Sequence, residues 1–194
     1  MEGRKIKREH ENPIDNILID FAILIGKPLS KYSFFTPNVF TTLSLVISLF
    51  GIYLIYKENY KIGAILVFIG YFFDCLDGNF ARQYNMITHF GDLYDHISDL
   101  VKYILLFIII LISKVVQKTK IIFIIIVIIT QILNAIHLGC QEKFYNQESV
   151  LSRLTSMCHN KSSIVWTRYL GTGTLHFVTC LFIYNIKNIN KFLS

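Results

Sequence analysis

The apolar residues of this chain come in long blocks rather than at amphipathic spacing, and that arrangement limits its fold more than any other feature. Five blocks of about 20 residues are each long enough to cross the hydrocarbon core of a bilayer. With 53% of 194 residues apolar and 16% charged, disorder is excluded, and a single water-soluble core accounts poorly for such segregation. The expected class is an all-α integral, multi-pass membrane protein surrounded by lipid. A net charge of +6 reads as lysines and arginines that flank spans and meet anionic headgroups. Nucleic acid is given no part.

Residues 1–36 read as a basic N-terminal segment and an interfacial helix, and residues 37–194 as the transmembrane domain. Ile14, Ile17, Leu18, Phe21, Leu24 and Ile25 recur at helical spacing, with Asp15, Asn16, Gly26 and Lys27 elsewhere on the wheel. That pattern predicts an amphipathic helix lying in the membrane plane and stopped by Pro28, rather than a sixth span. Thr36-Pro37 suits a helix start and opens the first span, Val39 to Tyr56. The second begins at Ile62 and continues past Phe73 into an acidic, glycine-bearing stretch that ends at Arg82. The third covers about Gly91 to Ile112, the fourth Ile121 to Leu138 and the fifth Ile164 to Tyr184, with Gly139 to Ser163 as a polar connection. The bundle thus has five transmembrane helices, or six if the first helix also crosses. Lys and Arg number 10 on the N-terminal side and 7 on the other, which favours a cytoplasmic N-terminus. Cys75, Cys140, Cys158 and Cys180 form no short-spaced pair and read as small apolar residues. No secretory signal peptide is expected.

Chemistry concentrates between Asp74 and Asp99. Ionisable groups inside a span are expensive, so several acids facing one another in a bilayer call for a compensating cation. Asp74 and Asp77 are three apart and Asp95 and Asp99 four apart, so each pair shares a helix face. If residues 83–90 reverse the chain, Asp77 comes level with Asp95, Asp74 with Asp99, and Arg82 with Gly91. All four carboxylates can then meet at one depth with Arg82 toward the mouth. Carboxylates without histidine or thiol form a hard oxygen site suited to Mg²⁺ or Mn²⁺, about 12 Å below Arg82 and within reach of a lipid-linked pyrophosphate. Gly78 and Ala81 offer small surfaces that let a ligand approach the helix backbone, with helix packing as the less favoured reading. A cation carrier or channel with intramembrane acids is the non-enzymatic reading of the same residues.

The stretch fits the pattern D-x2-D-G-x2-A-R-x8-G-x3-D-x3-D at every specified position, and so resembles the CDP-alcohol phosphotransferase (CDP-alcohol phosphatidyltransferase) family. Thr36-Pro37-Asn38 with Thr41 resembles an element that precedes the first span in many members. The likeness is good over residues 14–112. Beyond that only hydropathy agrees, and members usually have six spans. The resemblance implies transfer of a substituted phosphate from a CDP-linked alcohol to the hydroxyl of a second alcohol, with CMP leaving. It implies Asp74, Asp77 and Asp95 as metal ligands, Asp99 as base and shared ligand, and Gly78, Ala81, Arg82 and Gly91 lining the CDP site. Asn38 could also reach the nucleotide.

The leading expectation is a phosphatidyl donor, CDP-diacylglycerol. The alternative is an aminoalcohol phosphotransferase using CDP-choline or CDP-ethanolamine and diacylglycerol, which the Asp95-His96 dipeptide would allow. Aspartate-rich prenyltransferases also pair acids with magnesium, but Arg82 and Gly91 at their spacings argue against them. Lys143, Arg153 and Arg168 are candidates for an anionic acceptor or, more plainly, headgroup contacts. Asp92 reads as a solvated acid at a helix start. Members of the family often form homodimers through their spans, a point on which these residues are silent. With the N-terminus cytoplasmic, the mouth of the site is cytoplasmic too.

Overall fold

A computed structural model describes residues 3–145, 155, 156, 158, 160 and 162–194. Arg153 lies outside the described residues. Helices α1 (Pro13–Leu29), α2 (Pro37–Tyr56), α3 (Tyr60–Gln83), α4 (His89–Ile112), α5 (Gln117–Tyr145), α6 (Ser163–Thr167), α7 (Thr172–Tyr184) and α8 (Ile186–Leu193) follow in order, and a 3-10 turn over Arg168–Leu170 lies between α6 and α7. No strand occurs among the described residues. α2, α3 and α5 are each long and apolar enough to cross a membrane. α4 equals α3 in length, at 24 residues, but carries Asp92, Asp95, Asp99 and Lys102. The architecture is that of an all-α membrane protein.

α1 begins where Asn12 Oδ1 accepts the Ile14 amide at 2.9 Å, a side-chain cap ahead of Pro13. The helix is not stopped at Pro28, as expected, but runs through it to Leu29, because the Ser30 amide reaches the Gly26 carbonyl at 2.9 Å and closes the last turn. Ile17, Phe21 and Leu24 face away from the bundle, while Ile19, Ala22 and Gly26 are buried. At Gly26 the Phe80 ring of α3 packs directly on the backbone. The amphipathic face therefore looks outward, as an in-plane helix requires, and the opposite, smaller face is the one that docks.

α2 and α3 form the tightest pair. A Cβ placed on Gly63 would lie 2.7 Å from the Gly51 carbonyl, so both positions need glycine for the backbones to approach this closely. α4 packs on α2 and comes close to α3 at almost no point. This departs from the expected direct pairing of the third span with the second. The two acid-bearing helices face each other across a gap, with α2 along one side of it. A core of Ile52, Ile55, Val67, Leu106, Ile110, Phe123 and Ile183 fills the far end, and Ala22, Phe40, Leu76 and Phe80 fill the end nearer the gap.

Three expectations need correction. The fifth run is not one span over Ile164–Tyr184: it breaks into α6, the 3-10 turn and the 13-residue α7. Gly171 is extended there, and the Gly173 amide donates to Asp15 Oδ2 at 3.1 Å instead of to a helix carbonyl. Arg168 accordingly sits on this break rather than inside a transmembrane helix. The fourth helix does not end at Leu138 but continues to Tyr145, since Cys140, Gln141 and Glu142 are buried and support further turns. Finally, the cysteines are not all unpaired. Cys140 and Cys158 form a disulfide, with Cα atoms 5.0 Å apart and 18 residues of separation, a distance in sequence too long for a spacing motif to reveal. Cys75 and Cys180 are free. The amphipathic α8 was also not foreseen; its Asn190 Oδ1 accepts the Val116 amide at 2.6 Å and ties it to the start of α5.

Two acids cement the docking of the N-terminal segment. Asp15 accepts the Tyr71 hydroxyl at 2.6 Å as well as the Gly173 amide. Burial pushes its carboxyl up to about 6 despite those bonds. Burial, then the nearby Asp15 charge, pushes Glu11 up to about 7. Both values are raised above the ordinary 3.8 and 4.5, so the folded chain holds protons that the unfolded chain releases. The associated stability is fully present below about pH 4 and is lost as pH rises through 6 to 7, at about 1.4 kcal/mol for each unit of difference between the folded and unfolded values. The thermal midpoint of detergent-solubilised protein should fall between pH 5 and pH 8. Glu11→Gln with Asp15→Asn should flatten that fall, and an unchanged slope in the double variant would refute the assignment.

Candidate functional site

The site lies in the gap between α3 and α4. Oxygen atoms of Asp74, Asp95 and Asp99 lie within 4.8 Å of one another. Asp77 does not join this group: it is 4% exposed, and its Oδ2 accepts the Thr41 hydroxyl of α2 at 2.8 Å. Three of the four expected acids thus converge, and the fourth is held beside them by a residue of the Thr36–Thr41 element. Helical spacing accounts for the pairs within α3 and within α4. The width of the gap, set by the packing of both helices on α2, accounts for the rest.

Sequence reasoning gave no role to the group that sits among these acids. Lys102 Nζ donates to Asp74 Oδ1 at 2.8 Å and Ser44 Oγ at 2.9 Å, and pairs with Asp99 Oδ1 at 2.7 Å. The ammonium neutralises acids that would otherwise repel one another in a poorly solvated space. Its spacing of three residues from Asp99 is the signal that could have revealed it. Below this layer, Tyr103 donates its hydroxyl to His176 Nε2 at 2.9 Å, because His176 Nδ1 is 3.0 Å from the Thr172 carbonyl and must carry the ring proton.

A mouth of about 490 Å³ opens above the acids, within the usual size range of a small-molecule site. Its lining includes Asn38, Thr41, Asp77, Gly78, Ala81, Arg82, Gly91 and Asp95. Every position expected to line a CDP site is therefore on one wall or another of it. At Gly78 the three atoms nearest to a Cβ would all belong to the Arg82 guanidinium, and this glycine lines the mouth. At Gly91 a Cβ would crowd Asn38 Oδ1 and Thr88 Oγ1, each at 3.0 Å. Glycine there lets the first turn of α4 sit against the start of α2. Asp92 and His96 also line the mouth and are exposed; His96 Nδ1 lies 2.7 Å from the Asp92 carbonyl.

The fit of this site to a hard dication can be judged from its own atoms. Three carboxylates converge, and Asp95 Oδ1 is buried with no hydrogen-bond partner. A buried, unpartnered carboxylate oxygen is costly unless something binds it, and an all-oxygen donor set suits Mg²⁺ or Mn²⁺. The residues fit the group.

The acceptor candidates lie elsewhere. Lys143 Nζ donates to the Cys158 carbonyl at 2.6 Å, an ordinary structural bond. Arg168 donates to the Glu9 carbonyl at 2.6 Å and stacks over Tyr169. It shares a basic surface cleft with Lys7 and Arg8.

The sequence profile of the CDP-alcohol phosphatidyltransferases matches residues 34–185, a stretch that contains the acids of the gap and every lining residue of the mouth from Pro37 to His96. The chain belongs to this family. Among similar curated proteins, the archaetidylinositol phosphate synthase of Pyrococcus horikoshii is 30% identical over 95 residues, 49% of this chain and 46% of the relative. The CDP-diacylglycerol–glycerol-3-phosphate 3-phosphatidyltransferase of Aquifex aeolicus is 35% identical over 63 residues, 32% of this chain and 35% of the relative. The same-named protein of Rickettsia typhi is 36% identical over 66 residues, 32% and 37% respectively. The matched segments span less than half the length of each of these CDP-alcohol phosphatidyltransferase relatives. No solved structure matches the chain.

Proposed function

We propose that this chain synthesises a phospholipid by transferring the phosphatidyl group of CDP-diacylglycerol to the hydroxyl of a second alcohol, with release of CMP. The observation that carries this reading is the convergence of Asp74, Asp95 and Asp99 beneath a mouth lined by Gly78, Ala81, Arg82, Gly91 and Asn38. The names of the relatives, synthases and transferases of phosphatidyl-type products, support the same reaction class.

Asp74, Asp95 and Asp99 would hold a Mg²⁺ or Mn²⁺ ion, with Asp77, bonded by Thr41, beside the set. When bound, the dication neutralises charge on the diphosphate and on the departing CMP. Arg82 offers charge-assisted hydrogen bonds to phosphate oxygens, and Gly78 and Ala81 leave room for the nucleotide to approach α3. Asp99, whose side chain is 37% exposed, is more open than Asp74, at 18%. It takes the proton of the acceptor hydroxyl as the new P–O bond forms and the P–O–P bridge breaks, which places CMP in solution and the proton on Asp99.

The deciding experiment uses the full chain in liposomes with Mn²⁺. CDP-diacylglycerol with glycerol 3-phosphate, inositol phosphate or unphosphorylated alcohols should release CMP with at least one acceptor. Release only from CDP-choline or CDP-ethanolamine with diacylglycerol would replace this donor by the aminoalcohol class, and cation flux without CMP release would overturn the enzymatic reading. The Lys and Arg bias favours a cytoplasmic mouth. The Cys140–Cys158 bond lies at this same end of the bundle, where Tyr145 meets the N-terminal segment, and because disulfides are rare in the cytosol it weighs against the cytoplasmic orientation that the charge bias favours.

A further inference from the structure

The ten residues before α1 do not behave as a basic tail. Gly3 adopts a φ of +68°, a conformation that favours glycine, and its carbonyl accepts Arg82 Nε at 2.7 Å. A side chain at Gly3 would collide with Asn79 and Gln83 of α3, so the segment lies flush on the last turn of that helix. Ile6 is 1% exposed. Arg4 bonds to Asn16 at 2.8 Å and pairs with Asp20. Arg8 grips the same Asp20 through two bonds of 2.7 and 2.6 Å. The Lys7 amide and His10 both contact the Tyr145 hydroxyl of α5, at 3.2 and 2.7 Å. An apolar anchor and a set of ionic pins thus hold residues 3–10 as a fixed strap.

The even-numbered residues Arg4, Ile6 and Arg8 are spent on this docking. Lys5 is not. It lines the mouth beside Gly78, Arg82 and Gly91, it is exposed, and among the described residues no hydrogen bond or ion pair engages its ammonium. The mouth already holds Asp77, Asp92 and Asp95. An unengaged cation held there by a rigid strap, next to an arginine whose Nε the same strap occupies, meets the need of an anionic ligand.

We infer that Lys5 is a substrate-binding residue: the strap closes the CDP site and places the Lys5 ammonium against the phosphates of the nucleotide. This rests on the mouth being a CDP site, as proposed above. The ligand chemistry is a nucleoside mono- or diphosphate. A lipid headgroup phosphate is the rival source, but the position of Lys5 among the motif residues of the mouth favours the nucleotide.

The test measures CMP and CDP affinity of the full chain in detergent with Mn²⁺ by calorimetry, together with binding of anionic phospholipid vesicles. Lys5→Ala should weaken nucleotide binding about tenfold, Lys5→Arg should hold it within about threefold, and Lys7→Ala should leave it unchanged, all with unaltered thermal midpoints. Since no hydrogen bond or ion pair of Lys5 holds the strap among the described residues, loss of folding is not expected in any of these variants. Normal nucleotide binding by Lys5→Ala, alone or with weakened vesicle binding, would overturn the role of Lys5 while leaving the proposed function standing. An equal loss in Lys7→Ala would also overturn it, by reducing the effect to general surface charge. Failure of the unaltered protein to bind CMP or CDP would overturn the proposed function, and the Lys5 inference with it.

Discussion

Asp99→Asn is expected to abolish CMP release while leaving the protein folded. Asparagine preserves the size of the side chain and an oxygen able to accept from Lys102, and Asp74 still pairs with that lysine at 2.8 Å, so the packing of α4 on α2 has no reason to change. What disappears is the carboxylate proposed to take the acceptor's proton. A positioned general base contributes about 10²- to 10⁴-fold to rate, and loss of a shared metal ligand adds to that. Turnover should therefore drop by at least about two orders of magnitude, with a thermal midpoint within a few degrees of the parent. CMP release from CDP-diacylglycerol and a melting curve on the same preparation check both halves. Parent-level turnover in the variant would show that Asp99 is not the base.

Lys102→Met should separate the fold from the metal. Among the described residues Lys102 is the one cation bonded to two of the converging acids, and its side chain is only 13% exposed. Methionine fills the same space without charge. Breaking such a pair by removing one partner costs on the order of 3 kcal/mol, and the partial exposure of Asp99 moderates this. In chelator the variant should melt several degrees below the parent. Added Mn²⁺ should raise its midpoint by more than it raises the parent's, because the dication then restores lost neutralisation without meeting an ammonium already seated on Asp74 and Asp99. A direct titration followed by Mn²⁺ electron paramagnetic resonance should show tighter binding than in the parent. Equal midpoints in chelator, or equal responses to Mn²⁺, would show that Lys102 is a bystander.

Both predictions depend on contacts between helices, and the reading of single helices from sequence explains why only some of these were foreseeable. Position on a helix face repeats every 3.6 residues, so the facing of Asp74 with Asp77, and of Asp95 with Asp99, follows from residue numbers alone. Which helix lies opposite does not. The expectation that Asp74 and Asp77 meet Asp99 and Asp95 rested on a chain reversal over residues 83–90, which sets depth but not how closely the two spans pack. The close approach at Gly51 and Gly63 commits α3 to α2 instead, and α4 packs on the same helix. That geometry opens the gap, turns Asp77 toward Thr41, and brings Ser44 to Lys102. Arg168 shows the same limit from another side. Hydropathy placed it within a span, but the capture of the Gly173 amide by Asp15, 158 residues away in sequence, breaks the helix beside it.

Long apolar blocks and the fixed spacing of acids, Gly78, Ala81, Arg82 and Gly91 by themselves determined the membrane class, the two helices that bear the chemistry and the family to which the chain belongs. All are local properties: hydropathy over about 20 residues and periodicity within one helix. Tertiary structure alone decided that three acids share a centre with Lys102, that Cys140 finds Cys158, and that the basic N-terminal residues form a strap over the mouth instead of a tail among headgroups. Each of these joins residues distant in the chain, and the backbone approach and burial that select such partners arise only when the helices pack.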